Sequence, residues 1–138
     1  MIIDSSALLV VLNREPDAEV FETAILTAAP CRMSVANVLE TSIVVEGRGG
    51  AEAGHELDAF LEHARIEPAP VTTEHLEAAR RAWRRFGKGR HPAALNFGDC
   101  FAYALAQITG EPLLYKGGDF ARTDITVAVP PPGGTGDA

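Results

Sequence analysis

The chain has 138 residues, 46% hydrophobic and 22% charged, the balance of an ordinary globular protein with enough length for one core without disulfides or a structural metal. Two cysteines, Cys31 and Cys100, with no CxxC or His/Cys spacing, exclude a disulfide framework and a zinc site, and no apolar run approaches the roughly 20 residues that span a bilayer. The net charge of −7 argues at first against a nucleic-acid partner, yet six of the twelve basic residues (Arg80, Arg81, Arg84, Arg85, Lys88 and Arg90) lie in one window free of acids, so the molecule is strongly polarised.

Met1 to Ile3 reads as a strand. Asp4 interrupts this apolar start and no positive charge precedes it, so it does not read as a signal peptide, and a reducing cytoplasm is expected. Asp4-Ser5-Ser6 supplies capping residues for a helix from Ala7. A second helix opens near Pro16-Asp17 and places Val20, Phe21, Ala24, Ile25 and Ala28 on one face. Cys31 to Met33 is a short strand and Ser34 an N-cap. Val35 to Glu46 is then a largely apolar helix ending before Gly47 and Gly49-Gly50, and Glu52 to His63 is a further amphipathic helix.

Ile66 to Val71, with two prolines, fits only an edge strand. Thr72 or Thr73 caps the next helix, where Leu76, Ala79, Trp83 and Phe86 line one side and the arginines project from the other. His91 to Phe97 is a loop, Asp99 stands in the first turn of a helix that Gly110 ends, and Leu113 to Tyr115 and Val127 to Val129 are brief strands. The sequence predicts one domain over residues 1–129 and a Pro/Gly tail over 130–138 too poor in apolar side chains to order. Short apolar strands alternating with longer helices predict an α/β fold, a parallel sheet with helices on both faces.

In such sheets ligands collect beyond the carboxyl ends of the strands, which is where Asp4, Asp99 and Asp119 fall. Glu40 sits in an otherwise apolar helical stretch, where a carboxylate must face solvent or be compensated. Four converging carboxylates would repel one another unless a cation were present, and hard oxygen donors select Mg²⁺ or Mn²⁺. Such an ion activates water for phosphodiester hydrolysis. Asp4 and Asp99 read equally well as acids serving helix N-termini, so spacing alone does not separate the site from the other acids.

The motifs Met1-Ile2-Ile3-Asp4-Ser5-Ser6-Ala7-Leu8, Ser34-Val35-Ala36-Asn37-Val38-Leu39-Glu40-Thr41, Leu95 to Ala106 around Asn96-Phe97-Gly98-Asp99, and Leu113 to Phe120 ending in Gly118-Asp119-Phe120 do separate it. In this order they resemble the four motifs of PIN-domain ribonucleases, and the size resembles the VapC toxins of toxin–antitoxin pairs. The resemblance implies a PIN-like domain, a Mg²⁺-dependent endoribonuclease with Mn²⁺ able to substitute, inhibition by a small cognate antitoxin, and a homodimer. It implies Asp4 and Asp99 as metal ligands, with Glu40 close behind and Asp119 as the fourth acid, a role for which Asp124 competes. Ser6 matches a hydroxyl that orients Asp4 or a water, and Asn96 either assists in the same way or caps the loop. The stretch Arg80 to Arg90, with Lys116, reads as an RNA-phosphate surface or as a solvated face. A catalytically silent RNA-binding or interaction module of the same fold, and a small Mg²⁺ phosphatase, are the rival readings; the latter ordinarily needs an acid where Ser6 stands.

Overall fold

The apolar runs sort into four strands and five helices in the computed structural model, which describes residues 1–128. In chain order they are β1 (Ile2–Ile3), α1 (Ser5–Leu12), α2 (Ala18–Ala28), β2 (Cys31–Ser34), α3 (Val35–His63), β3 (Ile66–Ala69), α4 (Thr73–Phe86), α5 (Phe97–Thr109) and β4 (Leu113–Leu114), followed by a 3-10 turn over Phe120–Arg122. The expected tail over 130–138, the domain boundary at 129 and the last residue of the expected final strand lie outside the described residues. Val127 makes an isolated parallel bridge to Leu113.

The strands form one parallel sheet in the order β3-β2-β1-β4. Successive side chains of a strand point to opposite faces. Ile2 and Leu113 therefore pack with Phe86, Leu105 and Phe120 under α4 and α5, whereas Ile3 and Leu114 pack with Leu8, Phe21, Ile25 and Leu57 under α1, α2 and α3. Both faces are covered, as a parallel sheet requires. The chain moves outward from β1 through β2 to β3 and then returns to the other side of β1 for β4. The strand order thus reverses between β1 and β4, and the crevice beyond their carboxyl ends is the expected place for a ligand. At the opposite end Glu111 ties the Met1 amino group, at 2.5 Å, to Arg32 of β2.

Several boundaries differ from expectation for physical reasons. The two helices expected over 35–46 and 52–63 run as α3, broken only at Gly50, whose φ of 71° and ψ of −166° suit glycine alone. On α2 the buried residues are Phe21 and Ile25, and Val20 faces solvent. On α4 the core side is Ala78, Ala79, Ala82 and Phe86, so Leu76 and Trp83 are not core residues; the Arg90 guanidinium stacks 4.2 Å from the Trp83 ring. Three small alanines let α4 approach α5 closely, and the larger Leu76 and Trp83 are left at the rim of that contact.

Candidate active site

Each acid reaches the crevice by a different local device. Asp4 follows β1 as the N-cap of α1, and its Oδ2 accepts from the Ser6 amide at 3.0 Å and the Ser6 hydroxyl at 2.6 Å. Ser6 Oγ accepts in turn from the Lys116 amide at 2.9 Å, which fastens the segment after β4 to the end of β1. Asp99 is the third residue of α5 and completes a capping box: Asn96 Oδ1 accepts from the Asp99 amide, and Asp99 Oδ2 accepts from the Asn96 amide at 3.0 Å. The capping alternative for Asn96 is therefore the contact it makes. Asp99 Oδ1 carries no hydrogen bond among the described residues.

Glu40 lies two turns into α3, which Ser34 caps. Its Oε1 accepts from Ser5 Oγ at 2.6 Å and from Asn37 Nδ2 at 3.2 Å. Asn37, fully buried, also donates to the Gly98 carbonyl at 3.0 Å, so α3 and the first turn of α5 are bound together beside the carboxylate. Asp119, exposed, opens the 3-10 turn after β4 and makes no capping bond. Asp124 is held elsewhere: Tyr103 Oη donates to it at 2.5 Å and Arg85 pairs with it at 3.1 Å.

Four of these acids lie close enough for Asp99 to feel the charges of the other three. Burial pushes Asp99 up to about 7, against the lowering effect of the Asn96 amide, and the charges of Asp4, Asp119 and Glu40 raise it further. Asp4 is pushed up to about 6, again first by burial, with Glu40 adding to the rise and Ser6 opposing it. Asp124 does not contribute to either shift. Among the described residues no three His, Cys, Asp or Glu side chains stand as a ready-made chelating cage. A divalent ion held here by one or two of these carboxylates would complete its shell with water rather than with a dense protein cage.

The basic residues divide. Arg80 pairs with Glu77, Arg85 with Asp124 and Lys116 with Asp17, and Arg90 covers Trp83. Arg81, Arg84 and Lys88 make no ion pair among the described residues. Arg80 and Arg84 border a groove of about 450 Å³ walled by Trp83, Phe97 and Phe101, and a second hollow of about 240 Å³ shares Phe97 and Phe101 and reaches Glu40 and Gly98. The two hollows thus meet at Phe97 and Phe101, with Arg80 and Arg84 bordering one and Glu40 the other. His91 Nδ1 accepts from the Ala93 amide and the ring meets Phe86 edge-on, a structural role.

Ser5, read from the sequence only as a capping residue, and Asn37 and Gly98, read only as parts of the quoted motifs, stand around Glu40. Their signal was present: Asn37 is three residues before Glu40 on one helical face, the spacing at which side chains meet.

A parallel sheet with a carboxylate crevice at its strand-order reversal defines a class, and the PIN domain family model matches residues 1–125. Ribonuclease VapC30 of Mycobacterium tuberculosis is 52% identical over 131 residues, 94% of this chain and 100% of that protein. Ribonuclease VapC of Mycolicibacterium smegmatis is 50% identical over 91% of this chain and 97% of its own. Among solved structures, VapC20 of M. tuberculosis, described as a sarcin-ricin loop cleaving toxin, superposes with a TM-score of 0.75 at 19% identity, covering 93% of this chain and 97% of that one. VapBC2 from Rickettsia felis, bound to a DNA fragment from its promoter, gives 0.70 at 15% identity over 91% and 94%. The chain belongs to the VapC ribonucleases of the PIN-domain family, toxin endoribonucleases that in general depend on a divalent metal.

Proposed function

We propose that Asp4 and Asp99 ligate Mg²⁺, replaceable by Mn²⁺, with Glu40 and Asp119 completing the acidic site, and that the chain hydrolyses RNA there. The surroundings of Asp99 carry this reading: its carboxyl is raised first by burial and then by the charges of Asp4, Asp119 and Glu40, with its Oδ1 free of hydrogen bonds among the described residues, and a cation relieves such a cluster. Bound there, a divalent ion supplies Lewis acidity to water and to the phosphate. The residues do the placing: Ser6 fixes Asp4, the capping box fixes Asp99, and each of these contacts occupies one carboxylate oxygen. Asp119 rather than Asp124 is the fourth acid, since Asp124 is committed to Tyr103 and Arg85.

RNA phosphates lie along Arg80, Arg81, Arg84, Arg85, Lys88 and Arg90 and reach Lys116, with unpaired Arg81, Arg84 and Lys88 contributing most. Such contacts weaken with salt. The partner is a small antitoxin, as in the VapBC2 structure, and the chain forms a homodimer through the exposed apolar side of α3 and α5, where Leu39, Ile43 and Phe97 are 61, 64 and 79% accessible. No described helix is long and apolar enough to cross a membrane. Two buried free thiols accord with a cytoplasmic setting.

The test is cleavage of single-stranded RNA by the purified chain after EDTA treatment, with Mg²⁺ or Mn²⁺ restored. Activity should return with metal and disappear in Asp4→Ala and Asp99→Ala at unchanged fold. Metal-independent cleavage, or wild-type rates in both variants, would overturn the reading.

A further inference from the structure

We infer that Ser5, Asn37 and Gly98 form a clasp that positions Glu40, an inference that rests on the acidic site being a metal site. The carboxylate of Glu40 is held on one oxygen only. Ser5 Oγ lies 2.6 Å from Oε1 and 3.1 Å from the Asn37 carbonyl, and its single proton goes to the nearer, charged acceptor. Asn37 Nδ2 bridges Oε1 and the Gly98 carbonyl, two acceptors, which fixes the orientation of the amide. Thr41 donates to the Asn37 carbonyl at 2.8 Å and braces that turn of α3. Oε2 makes no hydrogen bond among the described residues and lies against Gly98.

Gly98 contributes by what it lacks. A Cβ there would stand 2.2 Å from Glu40 Oε2 and 2.6 Å from Oε1, so the carboxylate occupies the volume of the missing side chain. Any other residue displaces the Glu40 carboxylate from this position. Glycine otherwise costs the first turn of α5 helix propensity, and the close approach explains its presence. Asn37 and Ser5 are buried on the far side, so the carboxylate is gripped between α1, α3 and α5 and has one way to point.

Calorimetric titration of the full chain with Mn²⁺ alone, beside thermal melting, tests this. Gly98→Ala and Ser5→Ala should each weaken Mn²⁺ binding roughly tenfold, as loss of outer contacts to metal sites does. Melting should fall only modestly in Gly98→Ala, because the helix preference of alanine offsets part of what Ser5 and Asn37 lose when the carboxylate is displaced. In a Glu40→Ala background neither substitution should weaken Mn²⁺ binding further, a non-additivity that general loosening of the fold does not produce. With RNA, kcat should fall in both single variants while KM holds. Wild-type Mn²⁺ affinity in the single variants, or equal losses with and without Glu40, would overturn the clasp while the metal reading stands. A wild-type chain that takes up no Mn²⁺ overturns the metal reading and the clasp with it.

Discussion

At the scale of single residues, the site is made from helix caps put to a second use. Asp99 spends Oδ2 on the Asn96 amide and Asp4 spends Oδ2 on Ser6, so each acid is fixed by the backbone it serves. Burial, against the lowering effect of these same bonds, shows in their protonation. Both carboxyls titrate higher folded than the ordinary 3.8, at about 6 for Asp4 and about 7 for Asp99, so between pH 4 and 7 the folded chain binds more protons than the unfolded one. Stability of the metal-free protein must then fall as pH rises through that window. Asp99→Asn keeps an oxygen for the Asn96 amide but sheds the charge. In EDTA it should raise stability at pH 8 by on the order of 2 kcal/mol and leave it little changed at pH 4. Denaturant melts at both pH values measure this, and a variant no more stable than wild type at pH 8 contradicts it. Asp124 presents the reverse case. Asp124→Ala should lose about 1 kcal/mol through the Tyr103 contact and retain cleavage, because its ion pair with Arg85 is exposed and worth little. Asp119→Ala should do the opposite, lowering kcat with the melt unchanged; equal cleavage by both variants would remove Asp119 from the site.

At the scale of elements, what was legible in the sequence is what local chemistry decides. Ser34, Thr72 and Asn96 cap where their side chains announce it, Gly110 ends α5 in the left-handed conformation, and the prolines of 66–71 put β3 at the edge of the sheet. The four acidic motifs were legible through their resemblance to a known family, since local chemistry alone did not separate their acids from the others. The pairing of Glu40 with Gly98 was not, because it joins residues 58 positions apart whose contact exists only after α3 and α5 pack. Nor was the buried side of α4: two adjacent faces of that helix both carry apolar residues, and only the close approach to α5 selects the alanines over Leu76 and Trp83. α3 yields a paired prediction from its glycines. Gly47 is helical with open space at its Cβ, so Gly47→Ala should stabilise by about 0.5–1 kcal/mol. Gly50 breaks the helix at φ 71°, and Gly50→Ala should destabilise by about 1–3 kcal/mol. Two stabilising substitutions would show that the break at Gly50 is not required.

At the scale of the whole molecule, the polarity of the sheet and the distribution of surface character point to one working end. Strand starts are pinned by Glu111 with Met1 and Arg32, and strand ends carry the acids, the basic flank of α4 and the exposed apolar band. That a highly exposed Phe97 stands two residues from Asp99 has a consequence for assembly. A soluble monomer has no use for Leu39, Ile43 and Phe97 bare on adjoining helices, and burying each fully is worth about 1.5–3 kcal/mol. Because these side chains are mostly exposed in one chain, Phe97 meeting Phe101 edge-on, their replacement bears more on assembly than on folding. Leu39→Glu with Phe97→Glu should weaken self-association by more than about a hundredfold while costing the dissociated chain no more than about 1.5 kcal/mol, mainly through the Phe101 contact. Sedimentation velocity across a concentration series reads the first quantity and denaturant melts at low concentration the second. A wild-type chain that is monomeric throughout, or a double variant that still dimerises, would move the interface off this face. Since Phe97 walls the hollow that reaches Glu40, a dimer formed here also narrows access to the acids, so the separated variant should cleave a short oligonucleotide and a long structured RNA with more nearly equal efficiency than the wild type does.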